Sequence, residues 1–271
     1  MARWKYSLSS ADSAPNTAPI LLTGDVCANL KRAAQLGYSG IEIHCREDAV
    51  FNYKAIGELC EENGIEIAAL ATGRLNTQGK VDLMNDNKEI TDSAKKGMLG
   101  YIKMAAKLKT NVVIGWVKGR IPDGADSGSY LERFARNLTV LCNQAAGEGV
   151  QIFTEVINRY ETNVLVTAQE AVDFLDYWKI PNCFIHLDTF HMNIEEINPC
   201  DAIKLCKDRL GYFHVADNTR MYPGRGTLDF KGYFSALKEI SYGGFVSVEC
   251  LPKPDGETAA IKALAQLKSC E

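Results

Sequence analysis

Cys183-Phe-Ile-His-Leu-Asp188 is a short apolar run that ends on a carboxylate. Three other runs share its form: Val150-Gln-Ile-Phe-Thr-Glu-Val156, Gly211-Tyr-Phe-His-Val215 and Phe245-Val-Ser-Val-Glu-Cys250. Their apolar and β-branched content, bounded by Gly or Asn, is how buried parallel strands read. Each run carries one polar side chain near its C-terminal end: Glu155, Asp188, His214 and Glu249. The four stand 33, 26 and 35 residues apart, about one strand–helix unit each. Working outward, four more runs precede them, at Trp4–Ser9, Gly40–His44, Ile65–Ala71 and Asn111–Trp116. Helical spacing fills the gaps, for instance Met98, Ile102, Ala105 and Ala106, then Leu131, Phe134, Leu138 and Leu141. Asp86-Asn87-Lys88-Glu89 reads as a capping box opening the third helix, and Gly37, Gly64 and Gly149 as helix C-terminal caps. Strict alternation of strand and helix means parallel strands with right-handed crossovers. Eight units predict an α/β fold: a single (β/α)8 TIM barrel over residues 1–271, with an open doubly wound sheet as the alternative. The length, 271 residues, suits one such barrel, which needs about 250.

Composition narrows the partners. The net charge is −4, the pI is about 5.7 and the basic residues are scattered, so no nucleic-acid partner is expected. No run approaches the roughly 18 apolar residues of a membrane span. Met-Ala-Arg-Trp4 enters a strand-like run without an apolar leader, so no signal peptide is expected. Nine cysteines at irregular spacing, with no CxxC pair, read as reduced thiols in a cytoplasmic protein.

The chemistry follows from the four strand ends. Strand ends on the C-terminal face of an α/β barrel carry the active site. Four consecutive strands would set Glu155, Asp188, His214 and Glu249 at one height on that rim. Three converging carboxylates repel one another unless a cation joins them. Three oxygen donors plus one imidazole suit one divalent ion, Mn²⁺ first, with Co²⁺ or Mg²⁺ as alternatives, better than a structural zinc. The long connections Thr72–Asn85 and Val117–Gly128 follow the third and fourth strands and belong to the same face.

Longer motifs surround these positions. They are Glu155-Val-Ile-Asn-Arg-Tyr-Glu161, Leu187-Asp-Thr-Phe-His191-Met-Asn-Ile-Glu-Glu196, His214-Val-Ala-Asp-Asn-Thr-Arg220, Tyr222-Pro-Gly-Arg-Gly226 and Val248-Glu249. Over most of the chain, and most clearly over residues 151–252, the sequence resembles the ketose 3-epimerase branch of the xylose-isomerase-like barrels. That branch includes tagatose, allulose and ribulose 3-epimerases and 5-keto-gluconate epimerases. The resemblance implies that the four strand-end residues are metal ligands and that Glu155 and Glu249 are the acid/base pair. It also implies that Glu161, His191 and Arg220 hold substrate oxygens. The metal would then bind the C2 carbonyl and C3 hydroxyl oxygens and stabilise an enediolate. One glutamate would take the C3 proton and the other would return one on the opposite face. The partner implied is a small sugar or sugar acid, and the assembly implied is a homo-oligomer, a dimer or tetramer.

Other residues have two readings each. Trp116 is either an apolar wall against the sugar or core. Lys118 and Arg120 either hold a substrate carboxylate or phosphate, which tilts the substrate towards a 5-keto-gluconate type, or lie on a solvated loop. The Gly73-Arg-Leu-Asn76 loop resembles that subgroup's layout too. His44 touches substrate or sits on the rim. His186 is read as a supporting or core histidine, and Pro223-Gly-Arg-Gly226 as a tight turn rather than a phosphate cradle. An aldose–ketose 1,2-isomerase on the same metal site is the nearest competing function. A sugar-binding protein without catalysis is disfavoured because both Glu155 and Glu249 are present. A DNA-repair endonuclease would use several zinc ions and more histidines than the 4 in this chain.

Overall fold

Alternating apolar residues in Lys5–Ala11 (β1) face two ways, and the strand finds partners on both edges. The computed structural model describes residues 4–271. After β1 come Leu22–Thr23 (β2), Val26–Gln35 (α1), Gly40–His44 (β3), Tyr53–Asn63 (α2), Glu66–Ala71 (β4), Gly73–Thr77 (α3) and Lys88–Leu108 (α4). Val112–Ile114 (β5), Ser127–Gly147 (α5), Ile152–Glu155 (β6), Ala168–Tyr177 (α6) and Cys183–Asp188 (β7) follow. Thr189–Glu195 (α7), Pro199–Cys206 (α8), Leu210–Val215 (β8), Phe230–Glu239 (α9), Phe245–Val248 (β9) and Gly256–Ser269 (α10) complete the chain. Every strand pairing is parallel. The order β1-β3-β4-β5-β6-β7-β8-β9 closes on itself where Lys5 of β1 pairs with Phe245 of β9. The closed eight-strand barrel expected from the alternation is therefore observed, and the open sheet is excluded.

Details differ from the sequence expectation for local reasons. The two-residue β2 pairs with the end of β1, outside the barrel ring. The fourth barrel strand stops at Ile114 because Gly115 turns the backbone into a 3₁₀ turn, Trp116–Lys118. The eighth stops at Val248, one residue before Glu249. The predicted loop 72–85 holds the short helix α3. Helix α4 is capped by Asn87, whose side chain accepts from the Glu89 amide at 2.8 Å, while Asp86 accepts from the Tyr130 hydroxyl. Asp86 is thus one residue too early to be the cap.

The barrel interior is filled, not hollow. Ala68, Ala69, Val113, Phe153 and Tyr212 form one buried group, with Phe153 and Tyr212 stacked at 5.6 Å between ring centroids. The larger apolar layer lies between the strands and the surrounding helices. No helix among the described residues is long and apolar enough to cross a membrane.

Gly211 in β8 lets the Phe153 ring lie flat against the backbone. A Cβ there would fall 2.6 Å from the Phe153 ring and 2.7 Å from the Phe184 Cβ. Gly211→Ala should therefore cost about 1–3 kcal/mol by overpacking, read as a lower thermal midpoint. An unchanged midpoint would show that the interior is looser than described.

Candidate metal centre and sugar cavity

Each of the four strand-end residues lies where a barrel strand delivers it. Glu155 is the last residue of β6, Asp188 the last of β7, His214 the fifth of β8, and Glu249 follows β9. Asp188 pairs in register with His214, whereas Glu155 pairs with His186 and His214 with Ser247. Two of the three steps are thus offset by two residues. Tilted strands with a shear of about one residue per strand convert those offsets into a common height.

Asp188 also caps α7: its Oδ1 accepts from the Phe190 amide at 2.8 Å. Its other oxygen, Oδ2, is buried and has no hydrogen-bond partner, and the same is true of His214 Nδ1. These two atoms are 4.0 Å apart, and His214 Nδ1 is 3.6 Å from Glu249 Oε2. Ligating atoms of Asp188, His214 and Glu249 all lie within 4.8 Å of one another. Glu155 joins through a second triad with Asp188 and His191. The four expected ligands are therefore gathered as overlapping triads that share Asp188. Buried polar atoms without partners are costly unless a ligand satisfies them, and this donor set of carboxylate oxygens and one imidazole fits a divalent cation.

Sequence reasoning missed Glu42. It is fully buried on β3, with Oε2 at 2.7 Å from His214 Nε2 and Oε1 at 2.6 Å from His44 Nε2. The signal was present: Gly40-Ile-Glu-Ile-His44 alternates, so Glu42 and His44 share one face, the barrel interior. Burial acts to raise Glu42, but His214 and His44 outweigh it and hold it well below the usual carboxylate range. Glu42 therefore accepts the Nε2–H of His214 and leaves Nδ1 turned to the cluster, an arrangement that fixes ring and tautomer for metal binding. His44 lies 3.8 Å from Glu249 Oε1 and lines the cavity.

The flanking residues expected around the cluster are gathered by hydrogen bonds. Glu161 accepts from the Trp116 indole at 2.9 Å and from Asn158 at 3.0 Å, and Asn158 reaches His191 Nδ1 at 2.7 Å. Burial and the Arg220 guanidinium hold His191 well below the usual imidazole range, so it is neutral. Arg220 donates to Glu249 Oε2, stands 3.5 Å from Asp188 Oδ2 and lies over the Phe190 ring at 4.6 Å. Its backbone has φ +57°, fixed by a loop built around Asp217, which accepts the amides of Gly224 and Leu228. With the Gly224 amide on Asp217 and the Arg225 amide on the Tyr222 carbonyl, residues 223–226 form a turn. Trp116 is 41% exposed and stands at the cavity wall.

One expectation is corrected. Lys118 is turned away from the cavity: it is fully buried, and its ammonium donates to the Glu155 carbonyl at 2.6 Å. Arg120 lines an adjoining cavity of about 420 Å³ that shares Thr77, Trp116 and Glu161 with the one above the cluster. Position 118 sits in the tight turn that Gly115 begins, which directs the side chain inward. A Cβ at Gly115 would meet Glu155 Oε2 at 2.6 Å, so this glycine makes room for the carboxylate. His186 is buried with both ring nitrogens unpartnered among the described residues, and packs edge-on to His214 at 4.1 Å.

The two glutamates are pushed apart electrostatically. Burial and the neighbouring Glu249 raise the Glu155 carboxyl to about 8, outweighing His214 and Lys118. Burial acts the same way on Glu249, but Arg220 and His214 prevail and hold it at about 2. One side of the site holds a proton and the other lacks one. Above them opens a cavity of about 900 Å³. Glu42→Gln should keep the fold and weaken divalent-metal affinity about 10- to 100-fold, since it disturbs the partner that orients His214. Metal titration by calorimetry reads this, and an unchanged affinity would remove Glu42 from the site.

Comparison with known proteins shows the family. An L-ribulose 3-epimerase of Methylomonas sp. (strain DH-1) is 47% identical over 109 residues, 40% of this chain and 38% of that protein. The 3-dehydro-D-guloside 4-epimerase of Escherichia coli (strain K12) is 36% identical over 135 residues, 49% of this chain and 52% of that protein. In these matches the chain spans about half or less of its relatives' length. A crystal structure of a D-allulose 3-epimerase from Methylomonas sp. in complex with D-allulose superposes with a TM-score of 0.83, at 26% identity, over 99% of this chain and 98% of that one. The family model described as xylose isomerase-like TIM barrel matches residues 30–270, so the chain belongs to that family.

Proposed function

We propose that this protein is a metal-dependent sugar epimerase that inverts C3 of a ketose or keto-sugar acid. The carrying observation is the pair of unpartnered buried atoms, Asp188 Oδ2 and His214 Nδ1, beside two glutamates of opposite protonation. Glu155, Asp188, His214 and Glu249 would hold one divalent ion, Mn²⁺ first, with Co²⁺ or Mg²⁺ as alternatives. When bound, the ion supplies Lewis-acid stabilisation to the substrate's ketone oxygen.

The chain's own residues do the rest. Glu249, held ionised, accepts the proton from C3. Glu155 passes a solvent-derived proton to C3 from the opposite face. β6 and β9 approach the mouth from different sides, so a flat enediolate fits between the two carboxyls. Arg220, His191 and Glu161 surround that position with donors and acceptors for hydroxyl oxygens. The activities of the relatives support inversion at a sugar carbon, and the ribulose enzyme supports C3. With Lys118 turned away from the cavity, a neutral ketose is favoured over a substrate carboxylate. A homo-oligomer, dimer or tetramer, goes with this reading by resemblance, and the free cysteines go with a cytoplasmic setting.

Turnover of a ketose in heavy water with metal-loaded protein should place deuterium at C3, read by NMR. Glu249→Gln should lose at least about 10²-fold in rate, the scale of a general base, while keeping its thermal midpoint. An aldose product would mean 1,2-isomerisation instead, and a fully active Glu249→Gln would remove the base.

Glu155 gives a second test. A carboxyl at about 8 carries its proton at pH 7, and a metal ion needs it ionised. Metal binding at pH 7 should therefore release about one proton from Glu155 besides the Nδ1 proton of a charged His214, and the Glu155 share should vanish well above pH 8. Calorimetry in buffers of different ionisation enthalpy reads this, and Glu155→Gln should lower the release by about one proton. Metal binding without proton release at pH 7 contradicts the assignment.

A further inference from the structure

The cavity is larger than the reaction needs. At the packing density of organic crystals, a hexose takes roughly 200 Å³, against a cavity of about 900 Å³. Ligand sites of roughly 300–1,000 Å³ hold molecules well beyond one sugar ring. Glu155, His214, Arg220 and Glu249 line the cavity at the barrel mouth. The 13–20 segment lines it as well, with Arg74 and Thr77 of α3 and the following Gln78. That wall interleaves Ala14, Pro15, Ala18 and Pro19 with Ser13 and Thr17.

The wall is held in place at both ends. Arg74, itself on the cavity surface, donates to Asp12 Oδ1 at 2.7 Å and to the Ser13 carbonyl. At the far end the Ser9 hydroxyl donates to the Pro19 carbonyl at 2.8 Å. Arg74 is thereby engaged with the protein's own segment, a positioning residue for the wall. A fixed surface that alternates small apolar faces with hydroxyls matches the mixed C–H and O–H surface of a sugar ring.

We infer that the substrate is a ketose carrying a second sugar ring on its C4–C6 side, with the second ring seated against residues 13–20. This rests on the epimerase reading. The linkage must leave C2 and C3 free, because a glycosidic bond at C2 would block the ketone and one at C3 the hydroxyl. Ketose-ended disaccharides linked through O4 or O6 meet that condition.

The test compares deuterium incorporation at C3 by metal-loaded protein for D-fructose, lactulose (linked through O4) and isomaltulose (linked through O6). At least one disaccharide should exceed fructose in kcat/KM by tenfold or more. Ala18→Phe, which narrows the cavity at that wall, should cut that disaccharide-to-fructose ratio at least tenfold. Pro15→Phe, at an exposed position of the wall, serves if the first variant fails to fold. A preference below tenfold, or a ratio untouched by the folded variant, overturns the inference. In that outcome exchange into fructose leaves the epimerase reading standing, whereas no exchange into any ketose overturns both.

Discussion

Mutual repulsion among Glu155, Asp188 and Glu249 is the constraint on which this barrel mouth turns. Asp188 is fully buried and Glu249 7% exposed, so water screens their charge poorly. The chain answers with three devices. His214 is pulled into its charged form against burial by Glu42 and Glu249. Arg220 lies against Glu249 and near Asp188. Glu155 keeps its proton. None of these satisfies Asp188 Oδ2 or His214 Nδ1 with a hydrogen bond. A divalent cation would do so with one partner. It would also compete with the Arg220 guanidinium for Glu249 Oε2, which would free Arg220 for a hydroxyl oxygen.

Support for the cluster comes from beneath and beside it. Glu42 holds two histidines at once, one aimed at the cluster and one at the cavity. Gly115 leaves the space that the Glu155 carboxylate fills, and the buried Lys118 ammonium ties down the end of the same strand. Asp217 builds the loop that presents Arg220. Each of these residues sets where a reacting group stands, which is how preorganisation is achieved.

The fold was legible because strand and helix alternate with residue patterns of different period, and eight such units close in one way. The strand-end residues were legible because each ends an apolar run. Glu42 was missed because alternation turns it into the barrel but does not show its partner, His214 on β8. Lys118 was misplaced for the converse reason: a cation in a long loop reads as exposed, and only the tight turn after Gly115 reveals that it points inward. The N-terminal wall was also hidden, since Ala-Pro-rich segments read as loop, and only Arg74 and Ser9, distant in sequence, fix it against the cavity.

Anomalous diffraction from manganese-loaded crystals tests the central claim most directly. The account predicts one peak above the barrel floor, about 2.0–2.4 Å from His214 Nδ1 and from an oxygen each of Glu155, Asp188 and Glu249. A peak on His214 Nε2, a peak away from Asp188, or no peak at this rim would contradict it.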